Sequence, residues 1–528
     1  MNRFGLLLVL VCAACATVPP QSADLLLSGG RVFTGDHARP WAEAIAIRGE
    51  TIAAVGSDEE VRALAGPSTR VVDLRGRLVV PGINDAHVHA PWPREKVKFV
   101  PAPREGATNE TILAALREAA AGAPEEVTLT SELPLALVDA GLTRDDLDAV
   151  STAHRIRVGV FGGHSAILNT TALRDWNIAE DAEDPPGGWY GRRDGRLSGW
   201  LYEHAYWVPQ IRFAATATDE ELRDAVMAFE KEAVGYGITS VQTMPIIRPE
   251  RLEAILASLS PRLRWRIIDF RMAPYDGSPG RFPVKYVLDG TPIERSAATI
   301  EPYADDPSTR GQINYRPEDI EAMVRDAARG ERQLLVHAVG DRTVAALLDA
   351  MDRTAADWPS LRVRIEHGDM ITPELVDRAR GLGVVLVQNP AHFMIHETMN
   401  ARFGSERASR SQSARSLLEK GNRFALGSDG PLNPYLNMFF AAIHPTNASE
   451  TLTVDQSLRA YTAGAAWAEL AETRKGRLAP GMLADLAVLS QDIFAVPPDA
   501  LPKTSSVMTI VGGKVVWEAE GAGQPAPE

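Results

Sequence analysis

Hydrophobic and polar positions change rhythm twice along this chain. From 24 to 80, runs such as "DLLLSGGRVFTG", "AEAIAIRGETIAAVG" and "STRVVDLRGRLVVPG" alternate or cluster apolar residues between glycine-rich turns. That pattern predicts short strands. Similar material returns at the other end, in "GRLAPGMLADLAVLS" and "SVMTIVGGKVVWEAEG" (476–521). Between them, over roughly 81–470, apolar strands alternate with amphipathic helices. The strands include "TSVQTM", "LRWRIIDFR", "VKYVLDG", "QLLVHAVGD", "VRIEHGD", "VVLVQNP" and "RFALGSDG". "TDEELRDAVMAFEKEAVGYG" predicts a helix that opens on a capping box, Thr218 with Glu221, and carries the stripe Leu222, Val226, Phe229 and Ala233. Strands alternating with helices imply a parallel sheet. The expected fold class is therefore α/β: a (β/α)8 barrel over 81–470, with a small β-sandwich built from both chain ends, 24–80 and 471–521. A doubly wound open sheet is the alternative, but no Gly-rich phosphate loop follows the first strand. Residues 522–528 read as a tail.

The N-terminus follows a different logic. "MNRFGLLLVLVCAACA" has one positive residue, Arg3, and an apolar segment from Phe4 to Ala14, too short to span a bilayer and laid out as a secretory signal. Residues 1–15 are the expected signal and 16–23 a tether. Both cysteines of the chain, Cys12 and Cys15, lie here. "CAAC" resembles a bacterial lipoprotein signal with Cys15 as the lipidated first residue, although Cys12 stands where Leu is usual; ordinary cleavage near Ala14 or Ala16 is the alternative. The expected location is outside the cytoplasm, periplasmic or anchored to the outer membrane, with membrane contact only through that lipid. Beyond Cys15 the chain has no cysteine, so a large core must hold it together. The net charge of −14, with no basic run, argues against a nucleic-acid partner. A small-molecule substrate is expected, and a homodimer is left open.

Candidate chemistry sits where strands end. "VVPGINDAHVHAPW" (79–92) places His87 and His89 two apart, on one side of a strand, in a chain with 11 histidines. A shared divalent cation is the simplest partner for two adjacent imidazoles; a chance polar pair is the bland alternative. His337 ends "QLLVHAVGD", His367 ends "VRIEHGD", Asp429 ends "RFALGSDG" and Lys285 lies in "FPVKYVLDG". In a parallel barrel such ends converge on one mouth. Each alone reads equally well as a bonded core histidine or a helix cap. Together they favour a metal centre.

The set HxH, Lys, His, His, Asp, in that order, resembles the amidohydrolase superfamily. Local motifs are similar to its YtcJ-like branch (amidohydrolase family 3), which includes N-substituted formamide deformylases. They are "GGHSAILNTTAL", "DGRLSGWLYEHA", "VKYVLDGTPIERSAATIEPYAD", "LLVHAVGDRTV", "RIEHGDMITPE", "LGSDGPLNP" and "GRLAPGMLADLAVL". The resemblance spans nearly the whole chain after the signal. It implies a metal-dependent hydrolase of C–N bonds other than peptide bonds. His87, His89 and Asp429 would hold one divalent ion, most plausibly zinc, and His337 and His367 a second, bridged by a carbamate on Lys285. An unmodified Lys285, paired with Asp289 or Glu301, would leave a one-metal site. Asp429 would also carry the proton of the attacking water, and His164 would polarise the scissile carbonyl or touch substrate. Glu203 and His392 are candidates for contact with substrate, His392 with His396 as part of the lining of the mouth; Asn169 and His204, like Glu203, are weaker candidates for shaping the pocket, with a bond to the backbone as the alternative for each. Asp85 shares the strand phase of His87 and His89 and is expected to orient a ligand imidazole. Ester, lactone or phosphoester hydrolysis on the same metals, or an inactive binding protein of the same fold, are the alternatives.

Overall fold

The computed structural model describes residues 22–92, 97–102 and 106–519. Cys12 and Cys15, and with them the signal and nearly all of the tether, lie outside the described residues. Among those described, no helix is long and apolar enough to cross a membrane.

The middle of the chain builds a series of parallel strands: β1 (Ile83–Val88), β2 (Ile238–Thr243), β3 (Arg264–Ile267, resuming past Ile268 as Asp269–Arg271), β4 (Val284–Val287), β5 (Leu334–Ala338), β6 (Arg364–His367), β7 (Val385–Gln388) and β8 (Arg423–Leu426). Neighbours in space are neighbours in sequence. One ladder joins β1, β2 and the first half of β3; a second runs from the other half of β3 through to β8. Most of these strands are buried along their whole length, which is why they read as apolar runs rather than alternations. Tyr286, Val336 and Ile365 join a large cluster with Ile320 and Met323 of the helix Pro317–Ala328 and Leu347 and Leu348 of the helix Asp341–Asp352. Because side chains alternate across a strand, Lys285, His337, Arg364 and Glu366 take the opposite face. The end of β8 meets β1 directly: the Asp429 N–H donates to the His87 carbonyl at 3.0 Å. Gly427 permits this approach, since a Cβ there would lie 2.5 Å from the Cβ of His87.

The chain ends form two further sheets. One runs in the order Thr51–Gly56, Ala44–Arg48, Leu25–Ser28, Arg70–Asp73; the other contains Leu486–Leu489 hydrogen-bonded to Leu78–Pro81, so the two termini share one ladder. Leu25, Leu27, Ile45 and Ile47 of the first and Val79, Leu486, Val488 and Ile510 of the second make one apolar cluster. The predicted helix is present as Asp219–Gly235, with the Thr218–Glu221 capping box formed.

An element absent from the sequence reading is a sheet inserted between β1 and β2. It runs Val97–Phe99, Thr128–Leu133, Ile156–Val160, Ser165–Leu168, Arg196–Glu203, Gly188–Arg193, parallel over its first three strands and antiparallel over the rest. Its core, with Leu116, Leu129 and Val158, continues into Met399 and Phe403 of the helix His396–Phe403, which fastens it beside the strand ends.

Candidate metal centre

The C-terminal ends of β1, β5, β6 and β8 bring His87, His337, His367 and Asp429 together. Donor atoms of His87, His367 and Asp429 all lie within 4.8 Å of one another. His87 Nε2 is 3.3 Å from His89 Nε2 and 3.4 Å from Asp429 Oδ1, and His367 Nε2 is 3.7 Å from Asp429 Oδ2. The ring of His337 sits 4.5 Å from that of His367, centroid to centroid, and 4.8 Å from that of His164. Lys285 is fully buried on β4, with Nζ 3.0 Å from His87 Nε2 rather than paired with Asp289 or Glu301. Asp289 instead accepts the N–H groups of Ala298, Val339 and Gly340 and the Thr343 hydroxyl.

Two of these residues are held in the left-handed backbone region that side chains avoid, His367 at φ +72° and Asp429 at φ +40°, and so is Glu203, at φ +52°, whose carboxylate meets His164. Such conformations persist only where the surroundings over-determine them, and they cluster at functional sites. Here the surroundings are explicit: His367 Nδ1 is bonded to Asn389 Oδ1 at 2.9 Å, and the Asp429 N–H is tied to His87.

The donors fit a divalent ion. Burial is the largest influence on His87, His337 and His367 and pushes each imidazole well below its ordinary pKa; neighbouring histidines add to it at all three, and Lys285 at His87 and His337. His89 falls to about 4 for the same reason. Neutral imidazole is the form that binds metal. Burial opposes ionisation of Asp429, but the hydrogen bond from His392 and the electrostatic pull of the surrounding imidazoles of His367, His89 and His392 hold its carboxyl far below the usual range. Four imidazoles and a carboxylate suit zinc-like ions and leave a concentrated polar cluster with few other partners. Burial also lowers Lys285 to about 8.

A cavity of about 640 Å³ opens over His89 and Asp429, walled by Trp92, Phe161, Tyr206 and Trp207. A narrower chamber behind it is lined by His164, His337, His367, His392 and Asp429. Phe161 and His164 belong to the inserted sheet or its turns, so the insert supplies one side of the site. His164 Nδ1 is 3.0 Å from Glu203 Oε2, and Glu203 is itself fully buried and accepts from Ser296 and Asn314. Glu203 thus bonds His164 rather than facing the cavity. Burial works against charge on His164, yet Glu203 outweighs it and raises the imidazole above its ordinary range. His392 bridges Asp369 and Asp429, at 3.4 Å from each; these carboxylates overcome the cost of burial and push it up to about 10.

Several weaker candidates turn out to serve the backbone. Asp85 accepts the N–H groups of His87 and Ser428 and holds no imidazole; the carboxylate on His87 Nδ1 is Glu366, at 2.6 Å. Asn169 caps the helix Thr170–Asp175 and donates to the carbonyls of Ser151 and His154. His204 Nδ1 accepts the Ala273 N–H, and His396 bonds the Phe393 carbonyl. Glu366, Arg364, Asp369 and Asn389 were not singled out from the sequence. A signal for two of them was present, since "VRIEH" puts Arg364 and Glu366 on one face of an otherwise apolar strand.

The model of the amidohydrolase family (Amidohydro_3) matches residues 70–517. The chain belongs to that family. It is 28% identical to Protein LONG AFTER FAR-RED 3 of Arabidopsis thaliana, with 94% of this chain and 93% of that protein aligned. It is 26% identical to the putative amidohydrolase YtcJ of Bacillus subtilis, over 93% and 98%. With the N-substituted formamide deformylase of Arthrobacter pascens it shares 25% over 95% and 100%. In fold it is similar to an uncharacterized metal-dependent hydrolase from Pyrococcus horikoshii, with a TM-score of 0.69 at 21% identity over 90% of this chain and 99% of that one. The family implies a divalent metal, and the strand-end donors of this amidohydrolase family member suit one.

Proposed function

We propose that this chain is a metal-dependent amidohydrolase that hydrolyses a C–N bond other than a peptide bond in a small molecule, using zinc. The observation that carries the reading is the convergence of His87, His89, Lys285, His337, His367 and Asp429 from separate strands. The similarity to an N-substituted formamide deformylase supports the bond type.

His87, His89 and Asp429 would hold one ion; His337 and His367 would hold a second if Lys285 carries a carbamate between them. A bound divalent ion supplies Lewis acidity, acidifying water and polarising the scissile carbonyl. The chain's own groups do the rest. Asp429, an ionised carboxylate at the floor of the cavity, accepts the proton of the attacking water and returns it to the leaving amine. His164, held by Glu203, stands across from His337 to donate to the oxygen that gains charge. Burial lowers the pKa of Lys285 to about 8, which makes the neutral amine that carbamate formation requires more accessible than on an exposed lysine. The aromatic walls of the cavity give substrate an apolar surface.

On the same reading, β1 to β8 form one closed (β/α)8 barrel and the chain-end sheets a β-sandwich. Cys15 is the lipidated N-terminus; a Cys15→Ser variant should then leave the membrane fraction as soluble protein, and an unmodified chain starting elsewhere would refute this. The functional test is metal analysis with a hydrolysis screen of N-substituted amides. Protein made with zinc present should carry at least about one equivalent, and the double variant His87→Ala, His89→Ala should lose metal and turnover together. Turnover surviving in the metal-free double variant would place the chemistry elsewhere.

A further inference from the structure

Barrel interiors are ordinarily packed with branched apolar side chains. Here the inner face of β6 carries Arg364 and Glu366, both completely buried. Arg364 donates to both Glu366 oxygens, Nε to Oε1 at 2.8 Å and Nη2 to Oε2 at 3.0 Å. Its remaining donors reach the Ala86 carbonyl at 2.8 Å and the side-chain oxygen of Gln242 on β2. Gln242 in turn donates to the Ala465 carbonyl and accepts from Arg266. A continuous polar column therefore runs up the barrel and ends at Glu366 Oε2, which receives the His87 Nδ1–H at 2.6 Å.

A buried ion pair is weak evidence of stability, because taking both charges out of water offsets their attraction, and apolar residues of similar volume often serve as well or better. The pair does one thing that apolar residues cannot. It gives His87 an anionic acceptor in a fixed plane, which puts the ring proton on Nδ1 and leaves the lone pair on Nε2. Nε2 is the atom that faces His89, Lys285 and Asp429. Two other candidate ligands lack this arrangement: His89 Nδ1 is bonded to the Met244 carbonyl and His367 Nδ1 to the Asn389 amide oxygen, both uncharged; at His337 the nearest carboxylate, Asp289, stands off at 3.7 Å from Nε2 and is taken up by backbone N–H groups.

We propose that Glu366, clamped by Arg364, is a positioning residue that fixes the tautomer and orientation of His87 and so sets the metal affinity of the site from within the barrel core. The inference rests on the metal-centre reading above. A carboxylate behind a ligand imidazole also makes the ring a stronger donor, and loss of such a partner costs roughly 10–100-fold in metal affinity.

The test uses full-length protein stripped of metal and titrated with zinc against a chromophoric chelator, with cobalt(II) absorption as a probe of ligand geometry. Glu366→Gln keeps the shape and removes the charge, but strands Arg364. The pair variant Arg364→Met, Glu366→Gln removes both charges and avoids that cost. Both should bind zinc roughly 10–100-fold more weakly than wild type, with an altered cobalt(II) spectrum, while the pair variant melts close to wild type. A folded pair variant with wild-type zinc affinity and an unchanged cobalt(II) spectrum would overturn the proposal and leave the metal centre standing. An unfolded pair variant would overturn it as well, because these residues would then serve the fold. Wild-type protein that takes up no zinc would instead remove the metal centre on which the inference rests.

Discussion

The chain-end sheets and the strand ends of β1, β5, β6 and β8 are both buried, yet they are held in opposite ways. Between the chain-end sheets, Leu27, Ile45, Ile47, Leu486 and Ile510 pack as an apolar cluster with almost no solvent exposure. Attraction there is non-directional and scales with the area removed from water. At the strand ends, burial falls on imidazoles, carboxylates and a lysine, and each must find a partner in a particular direction. Two of those residues, His367 and Asp429, also sit in strained backbone. The first region depends on volume kept out of water; the second depends on which atoms face one another. Stability and chemistry are thereby separated in space.

That separation can be broken by substitution, beginning with the site. Asp429→Asn keeps the shape and an oxygen facing His87 and His89 but cannot take a proton. Its kcat should fall roughly 10²–10⁴-fold, the usual worth of a positioned general base. Its melting temperature should stay near wild type, and its metal content should fall much less than in the double histidine variant. A near-normal kcat would make Asp429 structural and merge the two regions.

Ile45→Ala probes the other side. Ile45 is fully buried, and its truncation should cost about 2–5 kcal/mol in denaturant unfolding. Metal content per folded molecule should stay at the wild-type value. Metal loss from folded Ile45→Ala protein would show that the sheets transmit strain to the site.

The smallest effect concerns a helix cap remote from both. Thr218→Ala removes the hydroxyl that accepts the Glu221 N–H at 3.2 Å, and should cost about 1 kcal/mol with turnover unaltered. A loss several times larger would mean that the helix Asp219–Gly235 supports the strands it packs against more than its exposed cap implies.

What could be read from the chain follows the same division. The Thr218 capping box was legible because donor and acceptor lie three residues apart. His87 and His89 were legible because an i, i+2 pair on a strand shares a side whatever the rest of the fold does. Asp85 misled for the reverse reason. It shares that phase, but its short side chain is taken by the backbone N–H groups of His87 and of Ser428, a residue brought near only by folding. The inserted sheet was missed because its strands mix parallel and antiparallel pairing, which no periodicity of one strand reveals.

By itself, then, the order of residues determined which side chains end each apolar run, since strand burial and alternation are local properties of the chain. It also determined that Arg364 and Glu366 share a face of β6. Only the tertiary structure decided who meets whom. Glu366 rather than Asp85 holds His87, Lys285 faces His87 rather than Asp289, and Glu203 grips His164 instead of lining the cavity. Those pairs lie 279, 198 and 39 residues apart. Hydrogen bonds act over a few ångströms and depend on direction, so their partners exist only once the strands have been set side by side.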